Sequence, residues 1–250
     1  LMPRGGVAAG KVAQALAFGA TLFEVDGNFD DCLSLSQQLA QKYPVTLVNS
    51  VNPDRIAGQR TASLEVVEQL GTAPVAHFLP VGNAGNITAY WAGYRQAQQL
   101  GWSEQAPMMC GFQAAGAAPI VNGKPVAAPQ TVASAIRIGN PASWNQAIEA
   151  RDCSGGLIDA VTDEQILAAH RLLSATEAVF VEPASAAGVA GLLAICEGEG
   201  SPMARKLRDR SVVCTVTGNG LKDPEWALKA APPAKSVAAD AQSVALALDL

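Results

Sequence analysis

The sequence predicts an α/β fold, with a mainly parallel sheet and helices on both faces. Short apolar runs alternate along the chain with longer segments of helical periodicity, and the connections between them are short. Repeated strand–helix units of this kind bury a parallel sheet between two layers of helices. With 250 residues, of which 49% are hydrophobic, the chain is also long enough to enclose a sizeable core.

The first third of the chain alternates between helix and strand patterns. Helices are expected over 6–18, 29–42 and 55–70, and strands over 21–25 and 45–48. Gly19 and Gly71 end the first and third of these helices, because glycine readily adopts the left-handed conformation that often follows a helix. Asp30 and Asp31 lie in the first turn of the second helix, where the helix dipole favours negative charge.

The remaining two thirds continue the alternation. Strands are expected over 76–80, 108–112, 179–181 and 211–216, and helices over 87–99, 144–151, 163–173 and 184–196. The last of these helices is rich in small residues and should pack closely on the sheet. Residues 116–142 are irregular and rich in Gly, Pro and Ala, so they should run over the surface or line a cleft. Asp223 should cap a further helix that Pro224 opens, and the tail should be peripheral with one closing helix.

Composition and charge exclude several classes of function. The net charge is −5 with scattered Lys and Arg, which argues against a nucleic-acid surface or a polybasic membrane patch. No uncharged apolar run reaches the ~20 residues of a membrane span. The cysteines stand far apart, without the spacing of a metal site, at Cys32, Cys110, Cys153, Cys196 and Cys214. We therefore expect reduced thiols, no metal and a cytoplasmic protein, with His77 and His170 as structural residues.

The loop that follows the predicted strand over 76–80 has the features of an anion site. Gly82 and Gly85 let the backbone approach a ligand closely, and the N–H groups opening the next helix point at one spot with the helix dipole behind them. Asn83 and Asn86 add amide donors. The pattern is neither a dinucleotide fingerprint nor a Gly-Lys-Ser/Thr phosphate loop. On these residues alone, phosphate binding and a plain strand–helix turn both remain open.

Three further polar segments follow predicted strands, at 49–55, 181–186 and 217–220. Ligands gather at the carboxyl ends of parallel strands, so these segments and the glycine loop should surround one site. Asn49, Ser50 and Arg55 suit a phosphate, although they equally suit a turn with the arginine in solvent. Thr217 on its own suits a strand-end hydroxyl bonded to backbone.

The four segments, taken in order, resemble the threonine synthase family. They are Asn-Ser-Val-Asn-Pro-x-Arg-x-x-Gly-Gln, Pro-Val-Gly-Asn-Ala-Gly-Asn-Ile-Thr, Glu-Pro-Ala-Ser-Ala and Thr-Gly-Asn-Gly-Leu-Lys-Asp-Pro. The resemblance extends from about Gly5 to about Lys229. It implies the fold that this family shares with tryptophan synthase β and the serine/threonine dehydratases, and it implies pyridoxal 5′-phosphate as the cofactor.

The resemblance also implies roles for individual residues. The 5′-phosphate of the cofactor would be held by Gly82, Asn83, Ala84, Gly85 and Asn86. The Thr217 hydroxyl would face the pyridine nitrogen. Unlike a carboxylate, a neutral hydroxyl does not keep that nitrogen protonated, so the cofactor is a weaker electron sink and favours elimination over transamination. The phosphate of the substrate, O-phospho-L-homoserine, would be held by Asn49, Ser50 and Arg55.

Two segments of the family do not occur in this sequence, namely the one that carries the Schiff-base lysine and a Ser-Thr-Gly-Asn-Thr-Ser loop that contacts the cofactor and the substrate carboxylate. In threonine synthases the Schiff-base lysine lies in a Ser-Phe-Lys-Asp-Arg-Gly segment, and none of the seven lysines here has that context. We expect that catalytic lysine upstream of Leu1, in a longer protein. The chain would then comprise the later part of a small domain (1–50), a large cofactor-binding domain (51–232) and a peripheral tail (233–250).

The predicted function is therefore that of threonine synthase, a lyase that converts O-phospho-L-homoserine and water to L-threonine and phosphate. This chain alone should be inactive, because it lacks the amine. A homodimer is compatible with the resemblance, and neither nucleic acid nor a membrane is an expected partner. Two alternatives remain open. One is a serine/threonine dehydratase of the same fold, whose substrate carries no phosphate, and the other is a non-catalytic module that binds a phosphorylated metabolite.

Overall fold

A computed structural model describes residues 1–4, 7, 9–49, 52–198, 201–230 and 233–250. The first part of the chain forms a small parallel strand pair and two helices. Its elements are β1 (Met2–Pro3), α1 (Ala9–Ala17), β2 (Glu24–Val25) and α2 (Phe29–Lys42). Strand β1 pairs with β2 in parallel. Helix α2 has the predicted bounds, whereas the predicted strand over 21–25 forms only at its last two residues.

The centre of the structure is a second sheet of four parallel strands. The strands of this sheet and the helices between them are, in chain order, α3 (Pro53–Gln59), α4 (Thr61–Leu70), β3 (Ala76–Pro80), α5 (Gly85–Gln99), β4 (Met108–Ala114), α6 (Pro119–Asn122), α7 (Trp144–Ser154), β5 (Leu157–Val161), α8 (Asp163–Thr176), α9 (Ala187–Glu197), α10 (Pro202–Leu207) and β6 (Val212–Cys214). The strand order is β5-β4-β3-β6, and each neighbouring pair is parallel. Two short helices follow, α11 (Glu225–Ala230) and α12 (Ala241–Ala247). The predicted α/β class is confirmed.

Helices cover both faces of the four-stranded sheet. Successive side chains of a strand point to opposite faces, and β3 shows this clearly. Phe78 packs in a cluster with residues of α8 and α9, whereas Leu79 packs in a second cluster with residues of α4, α5 and α7. All five residues of β3 are buried, as expected for an interior strand of a parallel sheet.

Helix α9 approaches the sheet closely because the residues that face it are small. A Cβ added at Gly188 would lie 2.9 Å from the backbone nitrogen of Leu79, and one added at Gly191 would overlap the ring of Phe112. The two glycines therefore allow the backbone of α9 to rest directly on β3 and β4. This confirms the predicted packing of a small-residue helix on the sheet.

Three predicted elements differ from the structure. The helix expected over 55–70 is two helices, α3 and α4, because the chain turns at Arg60, which ends one and precedes the other. The apolar run over 45–48 forms no strand, since no strand among the described residues pairs with it. The run expected as a strand at 179–181 contributes a single bridge, between Val181 and Asn219. Strand propensity without a hydrogen-bonded neighbour is not sufficient.

The sequence patterns also failed to predict several elements, namely β1, α6, β5 and α10, and misplaced a cap. Strand β5 lies at the sheet edge, and its burial is interrupted by the exposed Asp159, so its apolar signal is weak. Helix α10 has only six residues. The predicted N-cap role of Asp223 is wrong, because α11 begins two residues later, at Glu225. The buried Asp223 carboxylate instead accepts a hydrogen bond from Ser134 Oγ at 3.0 Å.

The two sheets lie on either side of the domain boundary predicted near residue 50, and that division stays a prediction. Within the described ranges, no helix is long and apolar enough to cross a bilayer.

Candidate functional site

A cavity of about 170 Å³ opens at the carboxyl edge of the four-stranded sheet. The described residues that line it are Arg55, Gln59, Pro80, Gly82, Asn83, Ala84, Gly85, Asn86, Ala135, Ile136, Ala184 and Thr217. They come from α3, from the segments that follow β3 and β6, and from the short 3₁₀ turns Ser134–Ile136 and Pro183–Ala186. Because β3 and β6 are parallel neighbours, Gly82 and Thr217 meet at one edge, where open α/β sheets bind ligands.

The loop over 82–86 is a sharp turn from β3 into α5. Ala84 adopts a left-handed conformation with φ of 64°, and Gly85 is the first residue of the helix. No side chain caps this helix N-terminus in the part of the chain that the structure describes. The first N–H groups of α5 are therefore available to an anion at the cavity wall, where the helix dipole also favours negative charge.

The two glycines of the loop meet different surroundings. A Cβ at Gly82 would lie 3.0 Å from Ile136 Cα and 3.1 Å from the Ala135 carbonyl oxygen. Glycine at this position thus lets the 3₁₀ turn that contains these two residues close one wall of the cavity. A Cβ at Gly85 would meet Ile56 Cδ1 at 3.6 Å, an ordinary contact. A larger side chain at Gly85 would consequently compete for space between α3 and the loop rather than disrupt the core.

Helix α3 brings a cation and an amide to the cavity. Asn52 caps this helix, since its Oδ1 accepts hydrogen bonds from the backbone N–H groups of Asp54 at 2.8 Å and Arg55 at 3.3 Å. A proline follows at the first helical position. At the end of the helix, Gln59 Nε2 donates to Asn86 Oδ1 at 3.2 Å. Arg55 is the one charged residue among the described residues of the cavity wall.

Thr217 is held by a buried hydroxyl from the turn Pro183–Ala186. Ser185 Oγ lies 2.8 Å from Thr217 Oγ1, and it accepts hydrogen bonds from the backbone N–H of Thr217 at 3.1 Å and of Gly218 at 2.6 Å. Ser185 is fully buried. A role for Ser185 was not predicted. The available signal was a hydroxyl inside the Glu-Pro-Ala-Ser-Ala segment, next to a residue that lines the cavity.

An ion pair between a partly exposed lysine and a buried glutamate lies next to the segment that carries Thr217, and it was also not predicted. Lys11 Nζ of α1 is 2.8 Å from the buried Glu182 Oε2, and a Cβ at Gly218 would overlap the Glu182 side chain. Helix α1 itself lies against the chain after Thr217, because a Cβ at Gly10 would come within 2.6 Å of the Leu221 carbonyl oxygen.

The structure brings most of the predicted site residues together. The loop over 82–86, Thr217 and Arg55 line one cavity. Asn49 is not among the described residues that line it, and Ser50 lies outside the described residues. The individual roles predicted for these residues in binding a cofactor or substrate stay predictions.

His77 is a buried structural residue, as predicted. Its two ring nitrogens pair with the hydroxyl groups of Tyr94, at 2.8 Å, and Thr215, and its ring stacks on Tyr90. Burial lowers the pKa of His77 from 6.5 to about 4, so the imidazole is neutral at pH 7. Among the described residues, no group of three or more His, Cys, Asp or Glu is placed to hold a metal ion.

Comparison with known protein families and curated proteins gives consistent matches. The sequence model of the family described as pyridoxal-phosphate dependent enzyme matches residues 1–218. The threonine synthase of Mycobacterium tuberculosis is 56% identical, and the match covers all of this chain and 68% of that protein. The threonine synthase of Synechocystis sp. is 53% identical, over 92% of this chain and 58% of that protein.

Solved structures match the fold at lower identity. The processed form of threonine deaminase isoform 2 from Solanum lycopersicum is 22% identical with a TM-score of 0.64, covering 84% of this chain and 55% of that one. Maize serine racemase is 21% identical with a TM-score of 0.69, covering 87% of this chain and 64% of that one. At such identities the likeness shows the fold alone.

Proposed function

The chain belongs to the threonine synthase family of pyridoxal-phosphate dependent enzymes, and from this membership we propose that it carries the phosphate-binding part of a lyase. The proposed reaction converts O-phospho-L-homoserine and water to L-threonine and phosphate. One observation carries the proposal: Arg55 and the loop over 82–86 line the same cavity. An enzyme that binds a phosphorylated cofactor and a phosphorylated substrate needs two anion sites in one cleft, and this cavity offers a helix N-terminus and a guanidinium.

The cavity residues fit pyridoxal 5′-phosphate. The N–H groups at the start of α5 lack a side-chain cap and suit a phosphate dianion, and the hydroxyl of Thr217 suits a ring nitrogen. We therefore assign the 5′-phosphate to the loop over 82–86 and the ring nitrogen to Thr217. When bound, the cofactor supplies electron withdrawal from the substrate's α-carbon.

The substrate phosphate is assigned to Arg55. A guanidinium forms two parallel hydrogen bonds with a phosphate, which fixes orientation as well as charge. Asn49 and Ser50 are proposed as further donors on the strength of the family resemblance. This assignment separates a threonine synthase from a dehydratase of the same fold, because a dehydratase substrate carries no phosphate for Arg55 to bind.

The cavity wall does not supply an amine. None of its described residues is a lysine, so nothing described there can form the covalent bond to the cofactor or take up a proton as an amine would. We therefore expect the chain, assayed on its own, to bind the cofactor non-covalently and to form no threonine. We also propose a cytoplasmic protein without a nucleic-acid partner, because the net charge is −5 and the basic residues are scattered. A homodimer is an additional proposal, which light scattering tests.

The experiment measures the two phosphate sites separately by isothermal titration calorimetry. The cofactor probe is 4′-deoxypyridoxine 5′-phosphate, which has no aldehyde and so cannot label exposed lysines, with 4′-deoxypyridoxine as its phosphate-free control. Gly85→Val should weaken the binding of the phosphorylated probe. Arg55→Ala should leave the affinity for that probe unchanged. It should weaken the binding of O-phospho-L-homoserine by roughly 2–5 kcal/mol, if the pair of Arg55 and the ligand phosphate is desolvated. Arg60→Ala, an exposed arginine beyond the last turn of α3, is the matched control.

Three results would contradict the proposal. Equal losses of affinity for the cofactor probe and for O-phospho-L-homoserine in Arg55→Ala would show that the two sites are not separate. Unchanged probe affinity in Gly85→Val would remove the glycine loop from the cofactor site. Equal affinity for L-serine and O-phospho-L-homoserine would favour the dehydratase.

A further inference from the structure

The hydroxyl group of Ser185 has an unusually complete set of hydrogen-bond partners. It is 0% exposed, and four polar groups lie within hydrogen-bond distance of its oxygen. Two are the backbone N–H groups of Thr217 and Gly218, at 3.1 Å and 2.6 Å. The others are Thr217 Oγ1 at 2.8 Å and the Gly218 carbonyl oxygen at 3.4 Å.

These partners determine the direction in which the Ser185 hydrogen points. A hydroxyl oxygen has two lone pairs and one hydrogen. The two backbone N–H groups occupy both lone pairs of Ser185 Oγ, so this oxygen cannot also accept from Thr217. Its own hydrogen must therefore be donated. The Gly218 carbonyl is the more distant acceptor and already accepts from the Glu182 N–H at 2.9 Å, whereas Thr217 Oγ1 lies at 2.8 Å. The hydrogen of Ser185 accordingly goes to Thr217.

The same accounting then applies to the hydroxyl of Thr217. Its oxygen accepts from Ser185, so its own hydrogen points away from Ser185. No second partner for Thr217 Oγ1 lies among the described residues, and Thr217 lines the cavity. The Thr217 hydroxyl thus presents a hydrogen-bond donor to a ligand ring bound in the cavity. A ligand nitrogen with a lone pair accepts this hydrogen directly, whereas an N–H at the same position would force the exposed Thr217 hydroxyl to turn its hydrogen towards water.

We infer that Ser185 is a positioning residue that fixes Thr217 as a hydrogen-bond donor, so that the cavity selects a phosphorylated heteroaromatic ligand whose ring nitrogen is unprotonated. The inference rests on the proposed function, because it needs a nitrogen heterocycle at Thr217. It adds that the protonation state of that ring is set by a serine that does not line the cavity. No carboxylate is found among the described lining residues to favour the protonated form.

The test follows the protonation of the bound ring directly. The probe is 4′-deoxypyridoxine 5′-phosphate labelled with nitrogen-15 in the ring, and the nitrogen chemical shift of the bound probe is recorded against pH by NMR. In the wild-type chain the bound nitrogen should titrate at lower pH than the free probe. In Ser185→Ala the Thr217 hydroxyl is free to turn and accept, so the midpoint should rise by about one pH unit, the equivalent of one hydrogen bond.

Two further variants distinguish positioning from mere support of the backbone. Thr217→Ser keeps the hydroxyl and should retain the wild-type midpoint. In a Thr217→Val background, Ser185→Ala should no longer move the midpoint, because Ser185 acts through the Thr217 hydroxyl. If Ser185→Ala does not fold, as judged by circular dichroism, Ser185→Cys is measured in its place, since a thiol is a weak donor and acceptor.

The outcomes separate this inference from the proposed function. A bound probe whose midpoint is the same in wild type and Ser185→Ala would overturn the positioning role while leaving the cofactor site intact. A midpoint shift that persists in the Thr217→Val background would also overturn it. Failure of the wild-type chain to bind the probe would overturn the proposed function, and with it the premise of this inference.

Discussion

The first 49 residues and the four-stranded sheet have similarly apolar segments but reach very different degrees of burial. Phe78 in β3 is 0% exposed. In the N-terminal part, Phe18 is 82% and Phe23 is 60% exposed, and Cys32 is the one buried residue among those described there. An apolar pattern therefore specifies which residues are suited to burial, whereas the neighbouring strands and helices determine which ones become buried.

Helix α1 connects the two regions. The backbone of Gly10 packs on the chain near Leu221, and Lys11 pairs with the buried Glu182. This contact reaches the segment that carries Thr217. The comparison thus predicts large effects of substitutions in the sheet, intermediate effects at the junction and small effects on the exposed N-terminal surface.

The largest expected effect is that of Phe78→Ala. The ring of Phe78 is fully buried and stacks near Phe112, with 6.1 Å between ring centroids. Removing it leaves a cavity in the core, which should lower the free energy of unfolding by about 3–5 kcal/mol. Phe18→Ala is the matched control and should change it by less than about 0.5 kcal/mol. Urea unfolding followed by circular dichroism measures both, and similar losses would contradict the comparison.

The second prediction concerns the pH dependence of stability. The pKa of His77 is about 4 in the folded chain, because burial lowers it from 6.5. Between these values the unfolded chain binds a proton that the folded chain does not. Stability from His77 is therefore present above pH 6.5, and about 3 kcal/mol of it is lost as the pH falls towards 4. His77→Gln should flatten the unfolding free energy over this pH window. An unchanged slope in His77→Gln would contradict the prediction.

The parts of the fold that the sequence predicted well are those where local signals and tertiary partners agree. Helix α2 has its predicted bounds, and β3 with the following α5 was predicted within two residues at each end. The run over 45–48 had strand composition but no neighbour to pair with, and β5 had a neighbour but an interrupted apolar pattern. Pairing between segments distant in sequence is the information that local patterns lack.

The third prediction tests the junction between the two regions. Lys11→Met should leave the buried Glu182 carboxylate without its partner, which destabilises folding because an unpaired buried charge is costly. The Lys11 side chain is 27% exposed, so we expect a loss of about 1–3 kcal/mol rather than the roughly 3–5 kcal/mol of a fully buried pair. Lys42→Met, an exposed lysine on α2, is the control. A double-mutant cycle with Glu182→Gln measures the coupling, and a coupling near zero would mean that the pair does not join the regions.

The candidate site shows the same limit of sequence reasoning. Glycines, a threonine and an arginine at strand ends were sufficient to predict the loop over 82–86, Thr217 and Arg55 near one another. The residues that orient them were missed, because Gln59 contacts Asn86 and Ser185 contacts Thr217 only in the folded chain. Hydrogen-bond polarity depends on all the partners of a group at once, which no spacing of residue types encodes.

The smallest expected effect on stability is that of Asn52→Ala, at the boundary between the two regions. Asn52 caps α3 and donates from Nδ2 to the Leu47 carbonyl oxygen at 2.7 Å, so its loss should cost about 0.5–2 kcal/mol. Helix α3 also presents Arg55 and Gln59 to the cavity. Fraying of the first turn of α3 should therefore weaken the binding of O-phospho-L-homoserine, although less than Arg55→Ala does.

Asp240→Ala provides the comparison for this last variant, because Asp240 caps the peripheral α12 through a 2.8 Å bond from the Ser243 N–H. Asp240→Ala should lower the free energy of unfolding by a similar amount without changing the affinity for O-phospho-L-homoserine. Asn52→Asp keeps the capping acceptor and should retain most of the affinity. Calorimetric titration and urea unfolding of the three variants separate the two effects. If Asn52→Ala lowers stability while affinity stays at the wild-type value, the capping of α3 does not position Arg55, and the N-terminal boundary contributes to folding alone.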